Sequence, residues 1–291
     1  MKEPIFRGVA TALITPFTDD GIDFPALEQL LIRQLDAKIP ALVICGTTGE
    51  ASTLSREEKA QLWMYCVHFV DGACKIIAGI GSNNTLAAAE LAQTAERCGV
   101  DALLAVTPYY NKCTQEGLLE HYLTIANRSA LPLITYNVPS RTGTNMTHDC
   151  CRILSTHPRI NGIKDASGNI SQTAKLCALP NCYVWSGNDD QIVPTLSLGG
   201  CGIISVLSNL CPEVVHQITS LCFIGQYKKA AALQLQYLPL IDALFCEVNP
   251  IPIKAALASQ GLCRENLRLP LTPLSDAGRK ELFSAMEKCF L

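Results

Sequence analysis

The feature that most constrains this chain is a regular alternation of two kinds of segment. Eight short, nearly continuous apolar runs occupy residues 6–14, 41–45, 75–80, 102–106, 131–136, 160–163, 183–185 and 202–206. A strand that is apolar along its whole length must be covered on both faces, as strands of a parallel sheet are. Between these runs, segments such as 24–38, 56–70, 85–98 and 116–127 space their apolar residues with a helical period. One of them carries a start signal, because Ser55-Arg56-Glu57-Glu58 has the form of a capping box. Alternating β and α predicts an α/β fold, either a (β/α)8 TIM barrel or a doubly wound open sheet. Eight evenly spaced units, with no linker or composition break between them, favour the barrel.

Beyond about Pro212 no further strand pattern appears. Helical periodicity resumes in 227–245, 250–258 and near 275–288, read as the eighth barrel helix followed by a small C-terminal helical appendage. The expected division is a catalytic barrel over 1–224 and a helical region over 225–291. With 48% hydrophobic and 17% charged residues, the chain has no disordered or low-complexity character. The net charge of −3, without a Lys/Arg cluster, leaves no footprint for nucleic acid. No apolar run approaches the roughly 20 residues that span a bilayer, so no membrane association is expected. The 15 cysteines are odd in number and include no Cys-x-x-Cys pair. Reduced thiols buried as small hydrophobes in the cytoplasm are the simpler account. The start, Met1-Lys2-Glu3-Pro4, shows no signal-peptide pattern. His148 near Cys150 and Cys151 fits no zinc template, so no metal is expected.

In a parallel barrel the chemistry belongs at the carboxyl ends of the strands. There the chain places Gly46-Thr47-Thr48-Gly49-Glu50, Thr107-Pro108-Tyr109-Tyr110-Asn111, Tyr136 followed by the loop to Gly143, Lys164-Asp165, and Ser186-Gly187-Asn188-Asp189. Lys164 carries the most information. Burial at a strand end disfavours its charged form, and a neutral amine is what imine formation with a carbonyl requires. The alternatives are an ion pair with Asp165, which points to the other face of the strand, or a snorkelling surface lysine. Tyr136, on the adjoining strand, is either a packed aromatic or one member of a hydroxyl relay with Thr48 and Tyr110. Arg141, in a loop bounded by Pro139 and Gly143, is either a surface residue or a bidentate grip for a carboxylate. Gly79-Ile80-Gly81 starts like a dinucleotide fingerprint but lacks its third glycine. The adjacent Tyr109 and Tyr110 suit an interface better than bare surface.

At these residues the sequence resembles the class I aldolases of the N-acetylneuraminate lyase superfamily, and within it the dihydrodipicolinate synthase family. The resemblance runs through 11–17, 46–50, 107–111, 136–143, Lys164 and 202–206, and covers essentially the whole chain. Its most specific elements are Ser140-Arg141-Thr142-Gly143 and the doubled threonine Thr47-Thr48. The resemblance implies an imine between Lys164 and pyruvate, then attack of the enamine on L-aspartate 4-semialdehyde, giving 4-hydroxy-tetrahydrodipicolinate in diaminopimelate and lysine biosynthesis. It implies proton transfer by Tyr136 through Thr48 and Tyr110, with Tyr110 reaching a neighbour's site across a dimer interface. Arg141 would hold the semialdehyde carboxylate, and the Thr47 and Thr48 amides the pyruvate carboxylate. Gly187 and the Ile204 carbonyl would line the pocket. No cofactor and no metal are implied, and a homotetramer built as a dimer of dimers is. Two rival readings stand beside it: an aldolase for a sugar acid, which should not need Arg141, and a non-catalytic oxoacid-binding protein.

The resemblance also bears on regulation by L-lysine. In lysine-inhibited relatives the inhibitor cleft is lined by residues matching Ala51, Ser52, Arg56, Lys59, Asn83, Ala87 and Tyr109. Here Ala87 stands where a glutamate would meet the ammonium, and Lys59 where the pattern has a histidine. Glu90, one turn beyond Ala87, would approach from the wrong turn, so weak or absent lysine inhibition is expected.

Overall fold

The computed structural model describes residues 2–289. Eight strands close into one barrel: β1 (Gly8–Ala12), β2 (Ala41–Ile44), β3 (Lys75–Gly79), β4 (Ala102–Val106), β5 (Leu133–Asn137), β6 (Ile160–Asp165), β7 (Tyr183–Ser186) and β8 (Gly202–Ser205). Every neighbouring pair is parallel, and β1 pairs with both β2 and β8. That closure excludes the open sheet.

Each strand leads to an outer helix: α1 (Phe24–Asp36), α2 (Arg56–Val70), α3 (Thr85–Arg97), α4 (Gln115–Arg128), α5 (His148–Ser155), α6 (Ile170–Cys177), α7 (Ile192–Ser197) and α8 (Pro212–Phe223). Three more follow: α9 (Tyr227–Ala243), α10 (Ile251–Ser259) and α11 (Asp276–Lys288). Helix α1 starts where the Asp23 carboxylate accepts from the Ala26 N–H, and it buries Leu27, Leu30 and Leu31 at helical spacing. Helix α2 has the capping box read from its sequence. The Glu58 N–H donates to Ser55 Oγ at 3.1 Å, and the Ser55 N–H donates to Glu58 Oε2 at 2.8 Å. Small and branched residues such as Ala10, Val43, Ile77, Ile134 and Ile204 fill the barrel interior with Trp185, and a larger apolar layer lies between strands and helices.

Three differences from the sequence reading stand out beside shifts of one or two residues at several other strand ends. The first apolar run outlasts its strand, because Leu13 and Ile14 stay buried after the ladder with β8 ends and the Ile14 N–H donates instead to Asn209 Oδ1. The sixth strand extends past its apolar run to Asp165, pairing Tyr136 with Lys164 and Asn137 with Asp165. The eighth barrel helix is α8, not the segment starting at Tyr227. Its buried stripe, Val215, Ile218, Thr219 and Cys222, includes a threonine and a cysteine, which blurred the apolar period.

Candidate active site

Lys164 is the last residue but one of β6, with its side chain inside the barrel mouth. Its cross-strand partner is Tyr136, and Nζ lies 4.1 Å from that ring's centroid. Strand alternation sends Asp165 to the other face. There its carboxylate accepts from Asn137 Nδ2, Ser167 Oγ and Thr173 Oγ1 at 2.9–3.0 Å, so it is committed elsewhere and is not the partner of Lys164. Lys164 is 6% exposed. Burial pulls its pKa from 10.5 to about 7, opposed by the Asp189 carboxylate and assisted by the Arg141 guanidinium. At neutral pH much of this amine is therefore unprotonated and nucleophilic.

The cavity in front of Lys164 has a volume of about 190 Å3. At about 30 Å3 per water, that is room for a ligand of roughly six heavy atoms. Thr47, Thr48, Tyr136, Arg141, Gly187 and Asn249 all line it. In the 46–50 turn the Gly49 and Glu50 N–H groups donate back to the Gly46 and Thr47 carbonyls. Among the described residues, the Thr47 and Thr48 amides find no such acceptor, leaving two donors for a carboxylate. Arg141 rides on the short helix Pro139–Thr142, which is pinned by the Thr142 hydroxyl donating to the Val138 and Thr144 carbonyls. Its guanidinium reaches the Asn249 carbonyl at 3.4 Å and meets no carboxylate among the described residues. Gly187 is a matter of space, since a Cβ there would come within 3.0 Å of Lys164 Cε.

The three hydroxyls read as a relay, those of Tyr136, Thr48 and Tyr110, are not brought together within one chain. Burial raises the Tyr136 pKa, while Arg141 and the Thr47 hydroxyl favour its phenolate. Thr47, rather than Thr48, thus supplies the hydroxyl that acts on the Tyr136 phenol. Thr48 is 3% exposed, and its Oγ1 accepts from Asn249 Nδ2 at 3.0 Å. Tyr110 is 91% exposed, with φ of +71°, and does not line the cavity of its own chain. Ile204 lies in the barrel's interior packing, and the cavity-lining residue that follows β8 is Val206.

A second cavity of about 450 Å3 shares Thr47, Tyr136, Val138 and Arg141 with the first. Ala51, Ser52, Lys59, Ala87 and Tyr109 line it, and no Asp or Glu does. Arg56 turns away to Glu90 at 3.1 Å and to Thr94. Glu90 pairs with Arg56 at the surface and does not line the cavity. Burial lowers the pKa of Lys59. The glycines near this cavity have a packing role: a Cβ on Gly79 would lie 2.1 Å from the Cys45 carbonyl oxygen, which accounts for the incomplete dinucleotide pattern.

The sequence reading assigned no role to three residues beside the site. Asp189 accepts from Ser205 Oγ at 2.5 Å and from the Val206 and Leu207 N–H groups, and it faces Lys164 electrostatically. Its place in the turn after β7 was the available signal. Asn249 and Lys254 come from the C-terminal helical region, where no spacing rule marks a barrel-mouth residue.

A closed parallel barrel with a desolvated lysine at a strand end, a neighbouring tyrosine and unpaired backbone donors facing it has the make-up of a lysine-imine enzyme of the barrel class. The chain matches the Dihydrodipicolinate synthetase family over residues 5–289 and belongs to it. It is 47% identical to a 4-hydroxy-tetrahydrodipicolinate synthase of Caldicellulosiruptor saccharolyticus, over 97% of each chain. Among solved structures, a monomeric dihydrodipicolinate synthase variant superposes with a TM-score of 0.97 at 39% identity, covering 99% of this chain and 98% of that one. The chloride-inhibited dihydrodipicolinate synthase of Acinetobacter baumannii, complexed with pyruvate, gives 0.96 at 41% identity, with coverage of 98% and 99%.

Proposed function

We propose that Lys164 is the residue on which this enzyme builds its reaction, the condensation of pyruvate with L-aspartate 4-semialdehyde to 4-hydroxy-tetrahydrodipicolinate. The observation that carries the assignment is the buried Lys164 amine, its pKa lowered to about 7, facing the cavity beside Tyr136. Nζ attacks the ketone carbon of pyruvate, the ketone oxygen leaves as water, and the imine loses a methyl proton to become an enamine. The enamine carbon attacks the aldehyde. The amine of the adduct then adds to the imine carbon and expels Lys164 with its proton restored. Tyr136, with Thr47 as its hydroxyl neighbour, moves the protons. The Thr47 and Thr48 amides hold the pyruvate carboxylate, and Arg141 holds that of the semialdehyde. The 190 Å3 cavity suits pyruvate, with its six heavy atoms. The barrel carries the reacting groups, and the turn before α10 closes one side of the site through Asn249.

Self-association as a dimer of dimers fits the nearly fully exposed Tyr110 ring, which a second copy would cover and use. Sedimentation at assay concentration tests this, and an active monomer would refute a shared site. Fifteen unpaired thiols suit a reducing compartment such as the cytoplasm. The function is tested by incubating the protein with pyruvate and borohydride and locating the adduct by mass. The adduct should sit on Lys164 and be absent from Lys164→Ala. An adduct on another lysine overturns the assignment, and use of sialic acid instead of the semialdehyde overturns the substrate.

A further inference from the structure

Two charged side chains meet without any exposure behind the 46–50 turn. Lys254 Nζ lies 2.5 Å from Glu50 Oε1, and both side chains are 0% exposed. The second oxygen of Glu50 accepts from the Arg268 N–H at 3.0 Å. Lys254 also donates to the Asn266 carbonyl at 2.8 Å and sits 4.2 Å over the Phe17 ring. Neither residue lines the cavity in front of Lys164.

Burying such a pair is a weak source of stability, because well-packed apolar side chains of similar volume do as well. Its placement suggests a different use. Glu50 has φ of +53°, a conformation a glutamate adopts only when its surroundings hold it there. The held residue ends the turn: its N–H donates to the Thr47 carbonyl at 3.1 Å, and the preceding Gly49 carbonyl accepts from Thr15 Oγ1 at 2.7 Å. That turn presents the two free amides of Thr47 and Thr48 and the hydroxyl beside Tyr136. Helix α10, which carries Lys254, begins just after Asn249, and Asn249 grips the Thr48 hydroxyl from the cavity side. The C-terminal region therefore holds the turn at two points.

We propose that Glu50 and Lys254 are positioning residues for the pyruvate half-reaction: their buried pair fixes the 46–50 turn so that its amides meet the pyruvate carboxylate. The proposal rests on the Lys164–pyruvate reading above. Removing one partner alone strands a buried charge, so the informative variant is the neutral double exchange Glu50→Gln with Lys254→Met, in which the amide still accepts from the Arg268 N–H. Pyruvate is titrated against the rate of borohydride trapping, and the KM for the semialdehyde is measured at saturating pyruvate. A displacement of about 1 Å far from the chemistry costs up to about 100-fold, so half-saturating pyruvate should rise roughly 10- to 100-fold. The semialdehyde KM should stay within about threefold, because Arg141 touches neither residue. A purely structural pair would lower the melting temperature and leave pyruvate saturation unchanged, and that result overturns the proposal. If the double variant does not fold, Glu50→Asp keeps the charges balanced but shortens the tether. It should show the same one-sided shift, and its absence is equally decisive. Failure of the wild-type protein to trap pyruvate would instead refute the proposed function.

Discussion

Replacing Lys164 with methionine should make the protein more stable while removing its chemistry. In the unfolded chain this amine titrates near 10.5, and in the folded barrel near 7. At pH 8 the folded-state amine is about 90% neutral, whereas the unfolded-state amine is almost wholly protonated, so folding releases close to one proton. Because the folded pKa lies below the unfolded one, the group opposes folding. The opposition is greatest below pH 7, fades between pH 7 and 10.5, and vanishes above. At about 1.36 kcal/mol per pKa unit, the cost is about 5 kcal/mol below pH 7, about 3 kcal/mol at pH 8 and about 1 kcal/mol at pH 10. These are upper values, since relaxation around the amine lowers them. Methionine suits the test because it is unbranched, of similar length and leaves no polar atom against the Tyr136 ring. Urea midpoints for wild-type and Lys164→Met protein, at pH 8 and pH 10 and at one protomer concentration, give the difference directly. A gain near 3 kcal/mol that shrinks toward 1 kcal/mol on raising the pH is expected. A variant that is less stable at pH 8, or a gain indifferent to pH, would refute the reasoning.

Other outcomes follow from the same site. Asp189→Asn removes the carboxylate that raises the Lys164 pKa, so the pH midpoint of pyruvate trapping should move downward; an upward move would show that Asp189 does not face the amine electrostatically. In Arg141→Ala the trapped pyruvate adduct should persist while turnover with the semialdehyde falls roughly 30- to 1,000-fold, as losing a charge-assisted contact of about 2–4 kcal/mol implies; equal losses in both half-reactions would assign Arg141 to the fold. Tyr136→Phe should stay folded and lose about 100- to 10,000-fold in turnover, the usual worth of a positioned proton donor; unchanged turnover would remove Tyr136 from the relay. Titrated L-lysine should inhibit weakly or not at all, because Lys59 faces the second cavity without a carboxylate and Glu90 is held by Arg56; strong inhibition at submillimolar lysine would show that another acid swings in.

Local rules settle much of this protein's fold. Continuous apolar runs cannot lie on a one-sided sheet, and their eightfold alternation with helical segments left a closed barrel as the economical arrangement. The capping box at Ser55 worked for the same reason, since all its partners lie within four residues. The burial of Lys164 at the barrel mouth was legible because a strand end in a parallel barrel is desolvated. What the sequence could not decide depended on contacts between distant segments. Whether Thr47 or Thr48 faces Tyr136 is set by the turn's exact course, and adjacent residues with identical side chains give no local cue. The partner of Glu50 lies 204 positions away in Lys254, and Asn249 meets Thr48 across 201. No periodicity links such pairs; they meet because α10 packs across the barrel mouth. The helix α8 was hidden by a stripe of mixed residues whose apolar character shows only once β1 covers it. Secondary structure and the place of Lys164 at a strand end are thus encoded in short-range pattern, while the meeting of Thr47 with Tyr136, the buried Glu50–Lys254 pair and the Asp189 carboxylate facing Lys164 exist only after the ring has closed.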